Sequence, residues 1–208
     1  MNEHSFILAS EKMRVRDVNK ESLVKQKAIE ILLKDGFDGF SMQKLAKACE
    51  ISVGTLYIYY KNKDDLIIKI AVEEGNRMMN ETLKGFSSDM SFADGLKKQW
   101  ENRSSYWIKN KNSALFYENI KHTQYAETIL KEISPDFRMT MKTFVENAIA
   151  KKQLLFLSFE SYWSVAFGPL YILLKFDING KSITNKPYKF SKKTMYQTLE
   201  LVIKALTP

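Results

Sequence analysis

The chain has 208 residues, of which 45% are hydrophobic and 27% are charged, a composition typical of soluble globular proteins with one or two domains. No apolar run approaches the roughly 20 residues of a membrane span, and the single cysteine, Cys49, excludes an intramolecular disulfide, so we expect a cytoplasmic protein without membrane contacts. The net charge of +8 supports nucleic-acid binding only weakly, because residues 180–208 carry +5 of it and residues 1–63 carry +3.

Helices are the expected secondary structure, since the chain has only 8 Gly and 4 Pro and few alternating, strand-like runs. Residues 1–17 show no clear period, and we interpret them as an N-terminal arm. A first helix is predicted from about residue 18 to residue 34, and Gly36 is suited to ending it. Apolar side chains recur there every three or four positions, at Val24, Ala28, Ile31 and Leu32.

Two short helices follow, each preceded by a serine that can cap its N-terminus. Ser41 is the predicted cap of a second helix that ends near Glu50, and Ser52 is the predicted cap of a third helix over residues 53–60. Two short helices joined by a tight turn, after a longer amphipathic one, form a helix-turn-helix unit. Such a unit places its second short helix in the major groove of DNA.

A helical wheel of the third helix separates two faces. Leu56 and Tyr60 fall on the face that would pack inward, while Gly54, Thr55 and Ile58 fall on the opposite side. Glycine lets the backbone approach DNA, threonine can bond a phosphate or base edge, and isoleucine can touch a thymine methyl. Two tyrosines beside this face have hydroxyls that could reach phosphates, Tyr57 and Tyr59. From periodicity alone, an ordinary three-helix segment without DNA-binding function is an equal alternative.

The motifs of this region resemble the N-terminal domain of TetR-family regulators. The family pattern has a Gly-aromatic pair after the first helix, here Gly36-Phe37, and a Gly-Thr-Leu-Tyr-x-Tyr/His-Phe recognition helix, here Gly54–Tyr60. A Lys-Asn-Lys link then leads into an acidic residue and Leu66. This sequence departs from the pattern at Tyr60, where the family usually has Phe. The resemblance covers about the first quarter of the chain.

The resemblance implies a DNA-binding domain over residues 1–63 and a larger helical ligand-binding and dimerisation domain over residues 64–208. Lys63 matches a phosphate-contacting lysine at the start of the fourth helix, for which Asn62 is the predicted cap. Taken with the helical wheel, the resemblance predicts DNA contacts at Ser41, Gln43, Val53, Gly54, Thr55, Tyr57, Ile58, Tyr59 and Lys63.

The rest of the chain is also predicted to be helical. The fourth helix is expected to run to about Lys84, and Ser134-Pro135 should interrupt the later helices. Residues 110–113 are predicted to be a polar break and residues 177–189 a polar, lysine-bearing loop. The predicted helices span residues 92–109, 114–123, 125–133, 137–152, 159–176 and 191–206.

In the TetR family the last two helices form a homodimer interface, so the resemblance implies dimerisation through the helices at 159–176 and 191–206. The physical argument agrees, because a palindromic operator requires two recognition helices about one helical turn of DNA apart. The alternative is that both helices are only the core of their own domain.

All three tryptophans and twelve other aromatic residues lie between residues 100 and 176. In the family this region encloses a cavity for a small-molecule effector, and an aromatic lining suits a hydrophobic or aromatic ligand. The alternative for each ring is an ordinary core position. The candidate ligand-binding residues are Trp100, Trp107, Phe116, Tyr117, His122, Phe144, Tyr162 and Trp163.

The sequence therefore predicts a homodimeric, ligand-responsive transcription regulator that binds double-stranded operator DNA, with repression as the family's commonest mode. An enzyme is not expected, because no nucleophile motif, phosphate loop or metal-ligand spacing occurs, and no cofactor or metal is predicted. The alternative is a helical, protein-binding adaptor without DNA-binding activity, using the basic segment 180–193 as its docking surface. That segment is otherwise interpreted as a solvated loop.

Overall fold

The computed structural model describes the backbone of residues 3–133 and 135–208 and the side chains of residues 20–133 and 135–208. Within these ranges the chain forms ten helices and a single isolated β-bridge, which confirms the predicted all-α fold. No helix of this part of the chain is both long and apolar enough to cross a membrane. The helices are α1 (Glu3–Gly39), α2 (Met42–Ala48), α3 (Val53–Tyr59), α4 (Lys63–Leu83), α5 (Phe92–Lys109), α6 (Lys111–Ile120), α7 (Ala126–Glu132), α8 (Pro135–Ala150), α9 (Phe159–Asn179) and α10 (Lys192–Leu206).

The first helix begins at Glu3, so the prediction that it starts near residue 18, after an irregular arm, was wrong. No glycine or proline occurs between residues 3 and 35, and the favourable propensities of Glu, Lys, Met, Arg and Ala sustain a helix without an amphipathic period. Met1 and Asn2 lie outside the described residues. The predicted break at Gly36 is present, because this residue has φ of 72° and ψ of 177° inside α1.

The chain divides into two compact units. Unit 1 comprises residues 1–73 and 115–130, and unit 2 comprises residues 74–114 and 131–208. The first division lies within α4, and the segment 115–130 packs with the N-terminal helices although it is distant in sequence. The predicted functional boundary between residues 63 and 64 stays a prediction.

Unit 1 has a continuous apolar core built from its short and long helices alike. Val24, Ala28 and Leu32 of α1 are buried as predicted, although Ile31 is half-buried and Ile29 takes a core position beside them. Further buried side chains come from each of the next three helices. They include Leu45 and Ala46 of α2, Leu56 of α3, and Leu66, Ile67 and Ile70 of α4.

Aromatic contacts hold the segment 115–130 within unit 1. The ring of Phe37 stacks on Phe116 with centroids 6.5 Å apart and lies 6.1 Å from the ring of Tyr125. The Tyr125 hydroxyl donates a 2.6 Å hydrogen bond to Oδ1 of Asp64 at the start of α4. These contacts explain why most of α6 and of α7 belongs to the same packing unit as the first three helices.

Unit 2 is organised around α5, whose inward face meets α8, α9 and α10. The Trp100 side chain is fully buried, and its indole N–H donates a 2.8 Å hydrogen bond to the carbonyl of Ala166 in α9. The helix α10, which is the second helix of the predicted dimer pair, buries its regularly spaced apolar positions within unit 2. These positions are Met195, Leu199, Val202 and Leu206.

Two predicted loops differ in length from those of the structure. The polar break before α6 is the single residue Asn110. Its N–H donates the last hydrogen bond of α5 to the carbonyl of Tyr106, and its own carbonyl accepts a 2.9 Å bond from the N–H of Ala114 in α6. The helix α9 continues to Asn179 and ends at Gly180, which has φ of 68°, so the predicted loop is shorter by three residues. The lysines of segment 180–193 are all exposed, as expected of a solvated loop.

Gly95→Ala should destabilise unit 2, because a Cβ at this buried position of α5 would overlap the ring of Phe144. We expect the free energy of unfolding to fall by about 1–3 kcal/mol, as is usual for overpacking a core. Urea denaturation followed by circular dichroism measures it. The matched control is Gly168→Ala in α9, where a Cβ meets nothing within 4 Å and stability should not fall. Equal effects at both positions would contradict the packing described.

Candidate nucleic-acid interface

The helices α2 and α3 are both capped by the predicted serines. The Ser41 hydroxyl accepts a 3.2 Å bond from the N–H of Lys44, and the Ser52 hydroxyl accepts a 3.1 Å bond from the N–H of Thr55. Between the helices, Glu50 adopts a left-handed conformation with φ of 56°, and Ile51 N–H donates to the carbonyl of Ala46 at 3.1 Å. The turn is therefore tight and fixed, as a helix-turn-helix requires.

The third helix presents opposite chemistry on its two faces. Leu56 and Tyr60 are buried, as the helical wheel predicted, whereas Ile58 is 77% exposed and Tyr57 is 51% exposed. Gly54 lies exposed on the outer face, where an added Cβ would meet only the Ser52 hydroxyl at 3.7 Å. An exposed aliphatic and aromatic face beside a bare backbone is the arrangement that direct base contacts use.

Hydroxyl groups lie together at the beginning of this face. Thr55 Oγ1 and Ser52 Oγ are 2.9 Å apart and share a hydrogen bond, and the Thr55 side chain is half-buried. Val53 is half-buried and Tyr59 is exposed beside them. Ser52 was assigned only a capping role from the sequence, although its exposed hydroxyl lies within bonding distance of the predicted contact Thr55. Its position directly before a recognition helix is the signal that could have identified it.

The predicted contacts on either side of α3 lie in different environments. Gln43 is exposed on α2, while Ser41 is half-buried at its N-terminus. Lys63 Nζ donates a 2.6 Å hydrogen bond to the carbonyl of Phe37 and is also half-buried. An ammonium has three donors, so this bond fixes the lysine and leaves capacity for a phosphate.

The charge of this region is modest. Residues 41–66 contain four lysines and three acidic residues, and two ion pairs reduce the free charge further. Lys44 pairs with Asp35 at 3.1 Å, and Lys69 pairs with Asp65 at 3.0 Å. The Asp65 carboxylate also accepts a 2.9 Å bond from Lys61 N–H, and these bonds lower its pKa although burial opposes them. The exposed side chains of α3 therefore support DNA binding more strongly than the net charge of this region does.

The candidate ligand residues of unit 2 divide into core and cavity positions. Trp100 and Phe144 are fully buried, and the Phe144 ring packs on Phe86 and Phe92 at centroid distances of 5.0 and 6.2 Å. Tyr162 and Trp163 instead line a cavity of about 450 Å³ between α8 and α9. This volume lies within the usual range of about 300–1,000 Å³ for small-molecule sites.

The other candidates lie elsewhere. Trp107 is buried in unit 2 with its ring centroid 5.6 Å from that of Tyr171. Phe116, Tyr117 and His122 belong to unit 1, where the first two are buried and the histidine is exposed. The structure thus brings only Tyr162 and Trp163 of the eight candidates to this cavity, with Phe137, Met141, Val145, Leu157 and Phe159 completing most of its apolar lining.

Comparison with known proteins identifies the N-terminal region. Residues 19–70 match the family model of the bacterial regulatory proteins of the tetR family. An uncharacterized HTH-type transcriptional regulator of Haemophilus influenzae is 29% identical over 91 residues, which make up 44% of this chain and 47% of that protein. The matched part covers 35% of a second relative, from Bacillus subtilis, so the chain spans less than half the length of both.

The fold is shared along almost the whole chain with solved regulators. A TetR family transcription regulator from Marinobacter aquaeolei has a TM-score of 0.72 at 19% identity, covering 93% of this chain and 98% of that one. The transcriptional regulator FadR from Bacillus subtilis, in complex with stearoyl-CoA, has a TM-score of 0.68 at 17% identity, covering 88% and 97%. The match of residues 19–70 assigns this N-terminal region to the TetR family.

The one departure from the family's recognition-helix pattern, Tyr60, places a hydroxyl in the core of a TetR DNA-binding domain. This hydroxyl is buried without a hydrogen-bond partner among the described residues. Burial, together with nearby carboxylates such as Glu21 and Glu73, raises the pKa of Tyr60 to about 12. Lys69 Nζ lies 5.7 Å from the ring centroid. The ring therefore anchors α3, while the hydroxyl destabilises the fold.

Tyr60→Phe should raise the free energy of unfolding by about 1 kcal/mol at neutral pH, because it removes a buried, unpaired hydroxyl. The unfolded tyrosine ionises near pH 10.0, whereas the folded one ionises near pH 12. The wild-type stability present below pH 10 is therefore lost as the pH rises toward 12, and the variant should lack this loss. Urea titrations at pH 7 and pH 11 test both points. Tyr57→Phe, at an exposed position, is the control, and a less stable Tyr60→Phe protein would contradict the account.

Proposed function

We propose that the chain is a ligand-responsive transcription regulator that binds a palindromic operator as a homodimer and represses transcription until an effector releases it. The observation that carries the proposal is the outer face of α3, which exposes Tyr57 and Ile58 while Leu56 and Tyr60 hold the helix from below. Large exposed apolar side chains that form a contiguous patch mark an interaction site. A bacterial regulator that binds operator DNA acts in the cytoplasm.

In the proposed complex, α3 enters the major groove and the flanking residues hold the phosphates. Ile58 and Gly54 contact base edges, since one offers a methyl group for thymine and the other lets the backbone come close. Tyr57, Tyr59 and Lys63 contact phosphates, which position the domain without reading the sequence. Ser41, Gln43, Val53 and Thr55 complete the contact surface at the ends of α2 and α3.

The proposed dimer uses the outer faces of α9 and α10. These helices bury one face within the protomer, yet Ile172 is 52% exposed on α9 and Leu201 is 67% exposed on α10, with Val165 one heptad before Ile172. Exposed apolar side chains on neighbouring helices can pair with the same residues of a second copy about a two-fold axis. A dimer supplies the two recognition helices that a palindrome requires.

The proposed effector occupies the cavity between α8 and α9. Its lining is mostly apolar and aromatic, which suits a small hydrophobic ligand. The structural relative FadR is in complex with stearoyl-CoA, a ligand with a long apolar chain, and supports this choice. Effector binding favours a state in which the two recognition helices no longer match the groove spacing, and DNA affinity falls by the coupling free energy.

Gly54→Ala tests the DNA-binding surface without disturbing the fold, because the added methyl meets only the Ser52 hydroxyl at an ordinary contact distance of 3.7 Å. We expect operator affinity to fall at least about fivefold, since a methyl inserted into a close-packed interface costs about 1–3 kcal/mol. Fluorescence anisotropy with DNA from upstream of the gene that encodes the chain measures this affinity. Ile183→Ala, in the exposed loop after α9 and outside both proposed interfaces, should bind normally. Unchanged affinity of Gly54→Ala would leave α3 without a groove contact.

Ile172→Glu and Leu201→Glu should each convert the dimer to a monomer, because a charge in an apolar interface loses its hydration without a partner. Size-exclusion chromatography with light scattering gives the mass. Ile183→Glu is the control, since this isoleucine is 86% exposed but lies in the loop between the two helices. If all three variants keep the mass of the wild-type protein, α9 and α10 do not form the interface.

A further inference from the structure

Arg103 lies in the middle of α5 with only 2% of its surface exposed. Its Nη1 donates a 2.7 Å hydrogen bond to the Tyr171 hydroxyl, and its Nε donates a 3.3 Å bond to Oε1 of Gln99. Neither partner carries a negative charge. Among residues 20–133 and 135–208, Arg103 makes no ion pair with a carboxylate, and its Nη2 has no hydrogen-bond partner. The cation is therefore buried without a counter-charge in the described structure.

Aromatic rings surround this guanidinium. Its central carbon lies 4.4 Å from the ring centroid of Phe167, 5.3 Å from that of Trp163 and 5.9 Å from that of Phe137. Cation–π contacts offset part of the desolvation of a buried arginine, but they do not supply an acceptor for its free N–H groups. Arginine is almost never fully buried unless it is paired. The Arg103 guanidinium therefore lacks the negatively charged acceptor that an anionic ligand would supply.

Other unpartnered donors belong to the same part of unit 2. Gln99 Nε2 and Trp107 Nε1 are buried without acceptors in the described chain, and they lie one turn before and one turn after Arg103 on α5. The Tyr162 hydroxyl on α9 is also buried and unpartnered, and burial raises the pKa of this tyrosine to about 12 although the charge of Arg103 acts to lower it. All four groups can donate a hydrogen bond. Together they complement a ligand that accepts hydrogen bonds and carries negative charge.

The cavity between α8 and α9 adjoins this cluster. Phe137, Tyr162 and Trp163 line the cavity, and the rings of Phe137 and Trp163 are also those that contact the Arg103 guanidinium. The guanidinium therefore lies directly behind the aromatic wall of the cavity. Most of the remaining lining is apolar, including Met141 and Val145 of α8. An apolar chamber next to a buried cation matches a ligand with an apolar chain and an anionic end.

We propose that Arg103 binds the oxyanion head group of the effector, and that the effector is an anionic amphiphile whose apolar chain fills the cavity between α8 and α9. The inference rests on the proposed function, since it specifies the ligand of the same effector site. The head group reaches Nη2 when the rings of Phe137 and Trp163 move aside. Carboxylates and phosphate monoesters share the required chemistry, and the experiment distinguishes them.

Isothermal titration calorimetry of the full chain with four ten-carbon probes tests the charge requirement. The probes are decanoate, decyl phosphate, decan-1-ol and decyltrimethylammonium, each below its aggregation concentration. At least one of the two anions should bind about 30-fold or more tightly than the alcohol and the cation, as expected for a buried charge-assisted pair. Which anion binds identifies the head group. Equal binding of all four, or binding of neither anion at about 1 mM, would overturn the proposal.

Two substitutions separate this role from a structural one. Arg103→Met should weaken anion binding about 30-fold or more and leave the affinity for decan-1-ol nearly unchanged. Its thermal midpoint without ligand should be equal to or above that of the wild type, because a buried unpaired charge is removed. Arg103→Lys, which keeps the charge but loses the planar fork, should be intermediate. A lower midpoint for Arg103→Met together with unchanged anion binding would show a structural arginine.

The matched control is Lys97→Met, which removes one positive charge from an exposed residue of α5 that does not line the cavity. Its anion affinity should stay within about threefold of the wild type, because exposed charges contribute little. A loss equal to that of Arg103→Met would overturn the assignment of Arg103. DNA release is measured separately by anisotropy. If the anion binds through Arg103 and no DNA is released, the proposed effector response fails while the inference stands.

Discussion

The helix that is proposed to read DNA has only seven residues, well below the roughly 12–15 that an isolated helix needs to persist in water. Its conformation therefore depends on the burial of Leu56 and Tyr60 in the core of unit 1 and on the cap that Ser52 provides. Because these anchors lie on one face, the opposite face stays free to expose Tyr57 and Ile58. The same packing that folds α3 determines which of its side chains are exposed for the proposed DNA contact.

The two units differ in how completely their buried polar groups are hydrogen-bonded. In unit 1 most polar ends have partners, as the bonds from Tyr125 to Asp64 and from Lys63 to the Phe37 carbonyl show, and the unpaired Tyr60 hydroxyl is a local exception. In unit 2 several buried donors around Arg103 lack acceptors in the described chain. This difference suits the proposed functions, since a domain that positions a helix on DNA gains from rigidity and an effector-binding domain gains from groups that only a ligand can satisfy.

Local rules made much of unit 1 predictable. The caps Ser41, Ser52 and Asn62 depend on residues within one turn, and the inward and outward faces of α3 follow from a period of 3.6 residues. The start of α1 was missed because propensity without an amphipathic pattern gives a weak signal. The interpretation of the aromatics was harder still, since composition cannot distinguish a core ring such as Trp100 from a cavity ring such as Trp163. Arg103 was overlooked, although Leu96, Trp100, Arg103 and Trp107 share one helical face and place a charge among apolar residues.

The central claim is that the outer face of α3 reads DNA as one half of a symmetric pair. Selection of binding sites from a random pool of double-stranded DNA by the purified wild-type chain tests this claim most directly. The account predicts an enriched inverted repeat whose half-sites are centred about 10 base pairs, or a multiple of one turn, apart. Enrichment of no sequence above the starting pool, or of a single half-site without symmetry, would contradict it.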